Sequence, residues 1–419
     1  MTYLHYRNDE LYIENVNLKT LAEKFGTPCY VYSRAVLETN WQVFDQSFRT
    51  IPHRICYAVK ANSNITILHL LAKMNSGFDI VSFGELKRVL AAGGDPNKII
   101  FSGVGKTQFE IEQAIENGIY CFNVESEPEL ERLHTIASRL KKTVNIALRI
   151  NPNVDPRTHA YISTGLSENK FGIDINNVIP LCRRLSSMPS LRLIGIASHI
   201  GSQIVELTPF LRNIDSLLDV YHQLCDMDIT LKHINIGGGL GIAYHHEHPP
   251  AIFDYAKALQ TKLAHLPVEI ILEPGRAIIG NAGILLTRVE YLKQNGQKKF
   301  AIVDAGMNDL LRPALYHAWQ EIIPVVLRTI EKQKYDIAGP VCESADFLGK
   351  DRELALVADD LLAINSAGAY GFSMCSTYNS RCRPPEVLID GSKIILIRRR
   401  ETIDELFASE TLIDFVHAE

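Results

Sequence analysis

Between about residues 54 and 274 the chain alternates between two hydrophobic rhythms. Short β-rich runs are apolar on both faces, and amphipathic runs with helical spacing separate them. The strand runs are Ile55–Val59, Phe78–Val81, Ile99–Phe101, Tyr120–Val124, Asn145–Ile150, Leu193–Ser198, His233–Ile236 and Glu269–Leu272. The helical runs are Ile65–Met74, Gly84–Ala92, Gln108–Glu116, Glu127–Leu140, Asn176–Leu185, Pro209–Met227 and Ile252–Leu263. A strand that is apolar on both faces is covered on both faces, which is the signature of a parallel sheet. Eight such strands joined by helical crossovers predict an α/β fold of the (β/α)₈ barrel type; an open doubly wound sheet is the alternative.

The flanks break this rhythm. Residues 1–50 hold a strand-like Cys29–Ser33 followed by a helical run. Beyond Gly280-Asn281 the pattern alternates: Ile284–Leu292, Phe300–Val303, Val325–Ile330, Leu354–Val357, Glu386–Ile389 and Lys393–Ile397, with turn signals at Asn295-Gly296 and Asp390-Gly391. These patterns predict a barrel over 36–280 and a mainly β domain over 281–419, which the segment 1–35 joins.

A barrel places its chemistry just after each strand, at the C-terminal face. Lys60, Asp79, Ser82, Gly103, Glu125, Arg149, His199, Gly237–Gly241 and Glu273 follow the strand runs in order. Lys60 directly follows an apolar strand. Burial there favours the neutral, nucleophilic amine that Schiff-base chemistry needs, whereas a strand-end lysine can equally snorkel to solvent. The run Ile236-Gly237-Gly238-Gly239-Leu240-Gly241 suits a backbone cradle for an anion, or simply a tight turn. Its spacing is not that of a dinucleotide fingerprint. Glu273-Pro274-Gly275-Arg276 offers a carboxylate for a protonated ring nitrogen and a guanidinium for a phosphate or carboxylate, or else an internal ion pair. His199-Ile200-Gly201-Ser202 offers a flat ring and a hydroxyl, or a structural histidine. Cys342-Glu343 pairs a thiol with an acid, and Gly368-Ala369-Tyr370-Gly371 is a small-residue turn bearing one phenol.

Composition narrows the function. The 419 residues are 46% apolar and 22% charged, with a net charge of −5, which excludes disorder. The densest basic stretch, Arg398–Arg400, runs straight into Glu401, so no nucleic-acid face is expected. No apolar run reaches a membrane-spanning length, and the first residues carry no signal-peptide core. Eight cysteines without a CxxC, four of them (Cys29, Cys56, Cys121, Cys182) in apolar runs, read as reduced core thiols of a cytoplasmic protein. His245-His246-Glu247-His248 precedes Pro249-Pro250 and reads as a solvated loop, so no metal is expected.

Taken together the motifs resemble the fold-type III pyridoxal-phosphate (PLP) decarboxylases, and within them the branch acting on meso-2,6-diaminoheptanedioate (diaminopimelate). The resemblance runs over nearly the whole chain. Tyr57–Asn62 looks like the PLP-lysine motif. Arg149-Ile150-Asn151-Pro152, Thr158–Gly165, Lys170–Ile173, His199–Gln203, Gly237–Gly241, Glu273–Arg276, Val341–Ser344 and Gly368 to Leu388 follow in order. The resemblance implies that Lys60 carries PLP, His199 stacks on its ring and Glu273 holds the pyridine nitrogen protonated. Gly238, Gly239, Gly241, Ser202, Gly275 and Arg276 would surround the phosphate. Asp79 and Tyr370 would complete the cofactor site, with Glu85 and Arg149 near it. Arg276, Arg312, Tyr316, Glu343 and Tyr370 would read the substrate, and Cys342 would donate the proton that replaces CO₂. Cys342 and Glu343 would come from the other subunit of a homodimer. The implied reaction yields L-lysine and CO₂, the last step of lysine biosynthesis. An ornithine- or arginine-type decarboxylase is the alternative. A racemase of this fold places a cation at the ring nitrogen, against Glu273, and small PLP carriers lack a second domain.

Overall fold

The computed structural model describes residues 3–156, 164–165 and 168–413. The stretch 158–163 of the quoted Thr158–Gly165 motif lies outside them. The chain divides into two compact units, Val36–Asn281 and Met1–Ala35 with Ala282–Glu419.

The first unit is a closed parallel barrel. Its strands are β1 (His53–Ala58), β2 (Gly77–Ile80), β3 (Ile99–Phe101), β4 (Cys121–Val124), β5 (Val144–Asn151), β6 (Leu191–Ala197), β7 (His233–Asn235) and β8 (Glu269–Leu272). Each pairs in parallel with the next, and β8 pairs with β1, so the sheet has no edge and the open alternative falls. Inside, Cys56, Ile100 and Ile271 pack as one cluster, and Cys121, Ala147 and Ile194 as another. All four cysteines expected in the core are buried.

The crossover helices start where a polar cap stops the preceding loop. Asn64, Ser82, Thr107, Ser126 and Asp174 each accept a hydrogen bond from a backbone N–H in the first turn of the following helix. Helix Gln108–Glu116 shows the usual stripe: Ile111, Ala114 and Ile115 are buried and the intervening carboxylates are not. Because each helix begins after a strand's C-terminal end, the capped turns ring the face where the predicted chemistry collects.

The second unit is built on a mixed sheet. Its order is Phe347–Leu354, Gln333–Ala338, Lys298–Val303, Gly283–Asn295, Cys29–Ser33, Glu386–Asp390 and Lys393–Arg398. The N-terminal strand Cys29–Ser33 lies antiparallel to Gly283–Asn295 and parallel to Glu386–Asp390. The predicted hairpins form, with Gly296 at φ +58° and Gly391 at φ +63° in their turns. A three-strand meander, Leu4–Arg7, Glu10–Ile13 and Val16–Asn17, precedes them.

Two strand expectations fail here. Val325–Ile330 is not a strand. The strand is Ile322–Pro324, after which Val325 is buried but Leu327 and Ile330 turn out to solvent. Leu354–Val357 is only the end of Phe347–Leu354; the Asp360 carboxylate takes the Val357 N–H at 2.8 Å and turns the chain. Gln333–Ala338 and Leu361–Ile364 are strands that the pattern did not predict.

Among the described residues no helix is long and apolar enough to cross a membrane, and no His, Cys, Asp and Glu group has metal-site geometry.

Candidate active site

The strand ends of the barrel bring Lys60, Asp79, Gly103, Arg149, His199 and Glu273, but not Ser82, Glu125, Ser202, Arg276 or the glycine run, into the wall of one cavity of about 170 Å³, which Phe171 also lines. Lys60 lies in the single 3₁₀ turn Val59–Ala61 that continues β1. Its Nζ donates to Asp79 Oδ2 at 2.7 Å. Asp79 is fully buried on β2, and its Oδ1 has no hydrogen-bond partner among the described residues. A buried carboxylate oxygen without a partner is costly, so this wall is built for a ligand or a moving cation. Glu85 follows at the start of the next helix and takes the Val81 N–H at 2.8 Å. Burial pushes its carboxyl up to about 7.

Glu125, after β4, is an organiser. Its Oε1 accepts from Arg149 Nη1 and from the Gly103 N–H, both at 2.7 Å, and its Oε2 accepts from the Gly172 N–H at 3.2 Å. One carboxylate thereby ties the exits of β3, β4 and β5 together. It also holds the Arg149 guanidinium 5.0 Å above the Phe171 ring centre.

The glycines after β7 are there for approach. A Cβ on Gly238 would sit 2.1 Å from the Glu273 carbonyl oxygen, and one on Gly239 (φ +105°) would sit 2.4 Å from that of Gly201. The loop pairs with the exit of β6 through Ile204 N–H to Gly239 O and Gly241 N–H to Ile204 O, each 2.9 Å. Beside it Arg276 Nη2 donates to Ser202 Oγ at 2.9 Å and Nη1 to Tyr244 Oη at 2.6 Å. A guanidinium, a hydroxyl and a bare backbone loop in one place form an anion cradle. Gly275 lets the following helix close on β1, since a Cβ there would meet Ala61 Cβ at 2.9 Å.

His199 Nδ1 accepts the Gly238 N–H at 3.3 Å, so the ring is neutral with its proton on Nε2. Burial, then the Arg149 and Lys60 cations, hold its pKa well below the ordinary value. Glu273, at the end of β8, is pushed up to about 7 by burial first and then by the Asp79 carboxylate, against the Lys60 ammonium.

The second unit holds the other predicted residues within itself. Cys342 and Glu343 are exposed in the turn after Gly339-Pro340. The Cys342 N–H donates to Asn379 Oδ1, and Tyr378 Oη donates to Glu343 Oε1, both at 2.7 Å. The buried Asp346 braces this turn by accepting from the Val341 and Met307 N–H groups at 2.7 and 2.6 Å. Arg312 is buried and donates to Gln320 Oε1 at 2.9 Å; Tyr316 ends the same short helix. Tyr370 takes the left-handed backbone at φ +55°. His245, His246 and His248 are exposed, as the solvated-loop reading expects.

Sequence reasoning missed four residues of the barrel site. Asn123, Asn235 and Tyr244 contact Glu273 or Arg276, and Phe171 faces Arg149. The available signal was an amide inside an apolar strand, in Cys121-Phe122-Asn123-Val124 and in His233-Ile234-Asn235.

Residues 34–280 match the family described as "Pyridoxal-dependent decarboxylase, pyridoxal binding domain". The chain is 54% identical over 415 residues to the diaminopimelate decarboxylase of Vibrio cholerae, covering 99% of this chain and 100% of that one. It is 51% identical over 413 residues to that of Pseudomonas aeruginosa, covering 99% and 100%. Among solved structures, the diaminopimelate decarboxylase of Helicobacter pylori complexed with L-lysine superposes with a TM-score of 0.91 at 42% identity, covering 94% and 99%. That of M. jannaschii in co-complex with L-lysine gives 0.92 at 38%, covering 98% of each chain. A catalytic barrel with this lysine, glycine loop and carboxylate, alike along its full length to these enzymes, belongs to the diaminopimelate decarboxylase family of pyridoxal-dependent decarboxylases.

Proposed function

We propose that this enzyme removes CO₂ from the D-configured centre of meso-2,6-diaminoheptanedioate, releasing L-lysine, with PLP carried on Lys60. The observation that carries the reading is the buried Glu273 carboxylate in the same cavity as Lys60, Asp79 and His199. The site fits the cofactor: Asp79 Oδ1 has no partner among the described residues, no Cβ fits at Gly238 or Gly239 of the loop after β7, and Arg276 stands beside Ser202. Lys60 would bind it covalently and Glu273 would face its ring nitrogen. His199 would pack on the ring. Gly238, Gly239, Gly241, Ser202, Gly275 and Arg276 would take its phosphate, and Asp79 and Tyr370 would complete the site. When bound, PLP supplies the electron sink for the breaking C–CO₂⁻ bond, which requires a protonated ring nitrogen.

The chain's own groups divide the remaining work. Asp79 holds the Lys60 ammonium at 2.7 Å and keeps the amine placed when it is released. Neutral His199 adds no positive charge over the ring. Arg276, Arg312, Tyr316, Glu343 and Tyr370 bind the substrate. Its distal end carries both an ammonium and a carboxylate, so arginines together with an acid are the matching readers. The Cys342 thiol delivers the proton that replaces CO₂. Cys342 and Glu343 are exposed on their own unit, and we infer that they complete the site of the other subunit in a homodimer. The eight unpaired thiols support a reducing, cytoplasmic setting.

The test is CO₂ release from meso-diaminopimelate set against ornithine, arginine and L-lysine. Release from the meso compound alone is expected. Comparable kcat/KM on ornithine or arginine would replace this reading by the basic amino-acid alternative.

A further inference from the structure

What holds Glu273 has no role so far. Both hydrogen bonds to its carboxylate converge on Oε1: Asn235 Nδ2 donates at 2.6 Å and Asn123 Nδ2 at 3.3 Å. No described residue hydrogen-bonds Oε2. The Asn235 amide has one possible orientation, because its Oδ1 accepts the Gly237 N–H at 2.9 Å. Its nitrogen must therefore face the acid. Asn123 Nδ2 also reaches Ser102 Oγ at 3.0 Å, while its buried Oδ1 has no partner among the described residues. Turning that amide over would set oxygen against carboxylate, so an unsatisfied oxygen is tolerated to aim the nitrogen. The main chain of Asn123 is fixed in turn, since its carbonyl oxygen accepts from the buried Lys106 Nζ at 2.8 Å. Lys106 is ion-paired at 2.7 Å with Glu129. The Glu273 N–H donates to Gly237 O at 2.8 Å, so the exits of β7 and β8 are joined twice.

We propose that Asn235 and Asn123 are positioning residues: their amide N–H groups anchor Glu273 Oε1 so that Oε2 faces the ring nitrogen of PLP, and Asn235 couples that contact to the glycine loop that takes the phosphate. The inference rests on the PLP reading above. Its chemical content is the charge of Glu273. Burial and Asp79 on β2 favour the neutral acid, whereas Lys60 after β1, Arg149 on β5 and the Asn235 amide favour the carboxylate. The Cys56 thiol on β1 and the His199 ring, which lines the same cavity, are kept neutral by burial. Removing the Asn235 donor shifts this balance toward the neutral acid, and a neutral acid holds a ring-nitrogen proton poorly.

The experiment uses the full chain with PLP and compares wild type with Asn235→Asp and Asn123→Ala. Asn235→Asp keeps the volume and the acceptor for Gly237, and replaces the amide donor by a carboxyl 2.6 Å from Glu273, so that the two acids repel or share one proton. The readouts are the PLP dissociation constant and the pH titration of the bound cofactor's visible absorbance. For Asn235→Asp we expect PLP to bind about tenfold more weakly and the titration midpoint to move by about one pH unit. Asn123→Ala, with the longer bond, should give about threefold and a smaller shift in the same direction. If both variants bind PLP within about twofold of wild type and titrate alike, or lose only thermal stability, the positioning role is overturned. A wild type that forms no borohydride-fixable adduct at Lys60 overturns the PLP reading, and this inference with it.

Discussion

The barrel and the β unit secure their functional groups in opposite ways. In the barrel each group sits at a strand end and is gripped by a neighbour from another strand or its following loop: Lys60 by Asp79, Arg149 by Glu125, Glu273 by Asn235, Arg276 by Ser202. The Arg149–Glu125 and Glu273–Asn235 contacts are buried and the other two partly so, which limits solvent screening of the site. In the β unit Cys342 and Glu343 stand exposed on a turn that Asp346 braces, and the groups that reach them from outside it, Asn379 and Tyr378, are exposed too. The barrel is organised for cofactor chemistry. The β unit presents reactive groups outward, as the proposed sharing of a site between subunits requires.

Removing the cofactor anchor tests the barrel's half of this contrast with the largest effect. Lys60→Ala should cut CO₂ release by more than about 10³-fold and abolish the adduct that borohydride fixes to the wild-type chain. Peptide mapping of that adduct to Lys106 or Lys170 instead would reassign the site.

The β unit's half predicts a different phenotype. Cys342→Ala should slow turnover by about 10²-fold while PLP binds with an unchanged spectrum, because the thiol acts on the proton and not on the cofactor. Mixing inactive Lys60→Ala and Cys342→Ala chains in equal amounts should restore about a quarter of wild-type activity if each site draws on two subunits of a symmetric dimer. No recovery on mixing, with dimers present, would confine the site to one chain.

The same contrast governs what could be read from the sequence. Barrel strands are buried on both faces and stand out as unbroken apolar runs. Ile99–Phe101, Glu269–Leu272, Gln108–Glu116 and Ile252–Leu263 are found at their predicted bounds. In the β unit, Gln333–Ala338 carries Lys334 and Asp336, the latter ion-paired with Lys298 at 2.9 Å, so pairing across strands hides a ladder that local pattern cannot see. Val325–Ile330 fails for the converse reason: Val325 and Val326 serve packing after Pro324 and not a strand, while Leu327 and Ile330 face solvent. In the site, charged residues after apolar strands were legible. Asn123 and Asn235 were not, because they interrupt apolar strands and their shared partner lies 150 and 38 residues away.

Two buried groups that burial shifts in opposite directions, one in each unit, supply the smallest and most selective prediction. In the barrel His233 is fully buried, and Gly195 leaves the room its ring needs; a Cβ on Gly195 would sit 2.2 Å from Nε2. Burial lowers its pKa from 6.5 to about 3. Between those values the unfolded chain binds a proton that the folded barrel refuses, so this group makes stability rise with pH up to about 6.5. In the β unit Asp309 is buried, and burial raises its carboxyl from 3.8 to about 7. There the folded state holds a proton that the unfolded chain releases, so stability falls as pH rises from 3.8 to about 7. The sequence has two tryptophans, Trp41 in the barrel unit and Trp319 in the β unit. Single-tryptophan variants (Trp319→Phe and Trp41→Phe) therefore report each unit's urea midpoint by fluorescence across pH 5 to 7. In the Trp41 reporter, the raised carboxyls of Glu85 and Glu273 pull stability down as pH rises, so His233→Gln, which removes an opposing rise, should make the midpoint fall more steeply with pH than in wild type. In the Trp319 reporter, Asp309→Asn should flatten a falling profile. A His233→Gln profile parallel to that of wild type, or an Asp309→Asn profile that still falls as steeply, would mean that the group replaced does not titrate in this range, and the contrast between the two buried groups would fail.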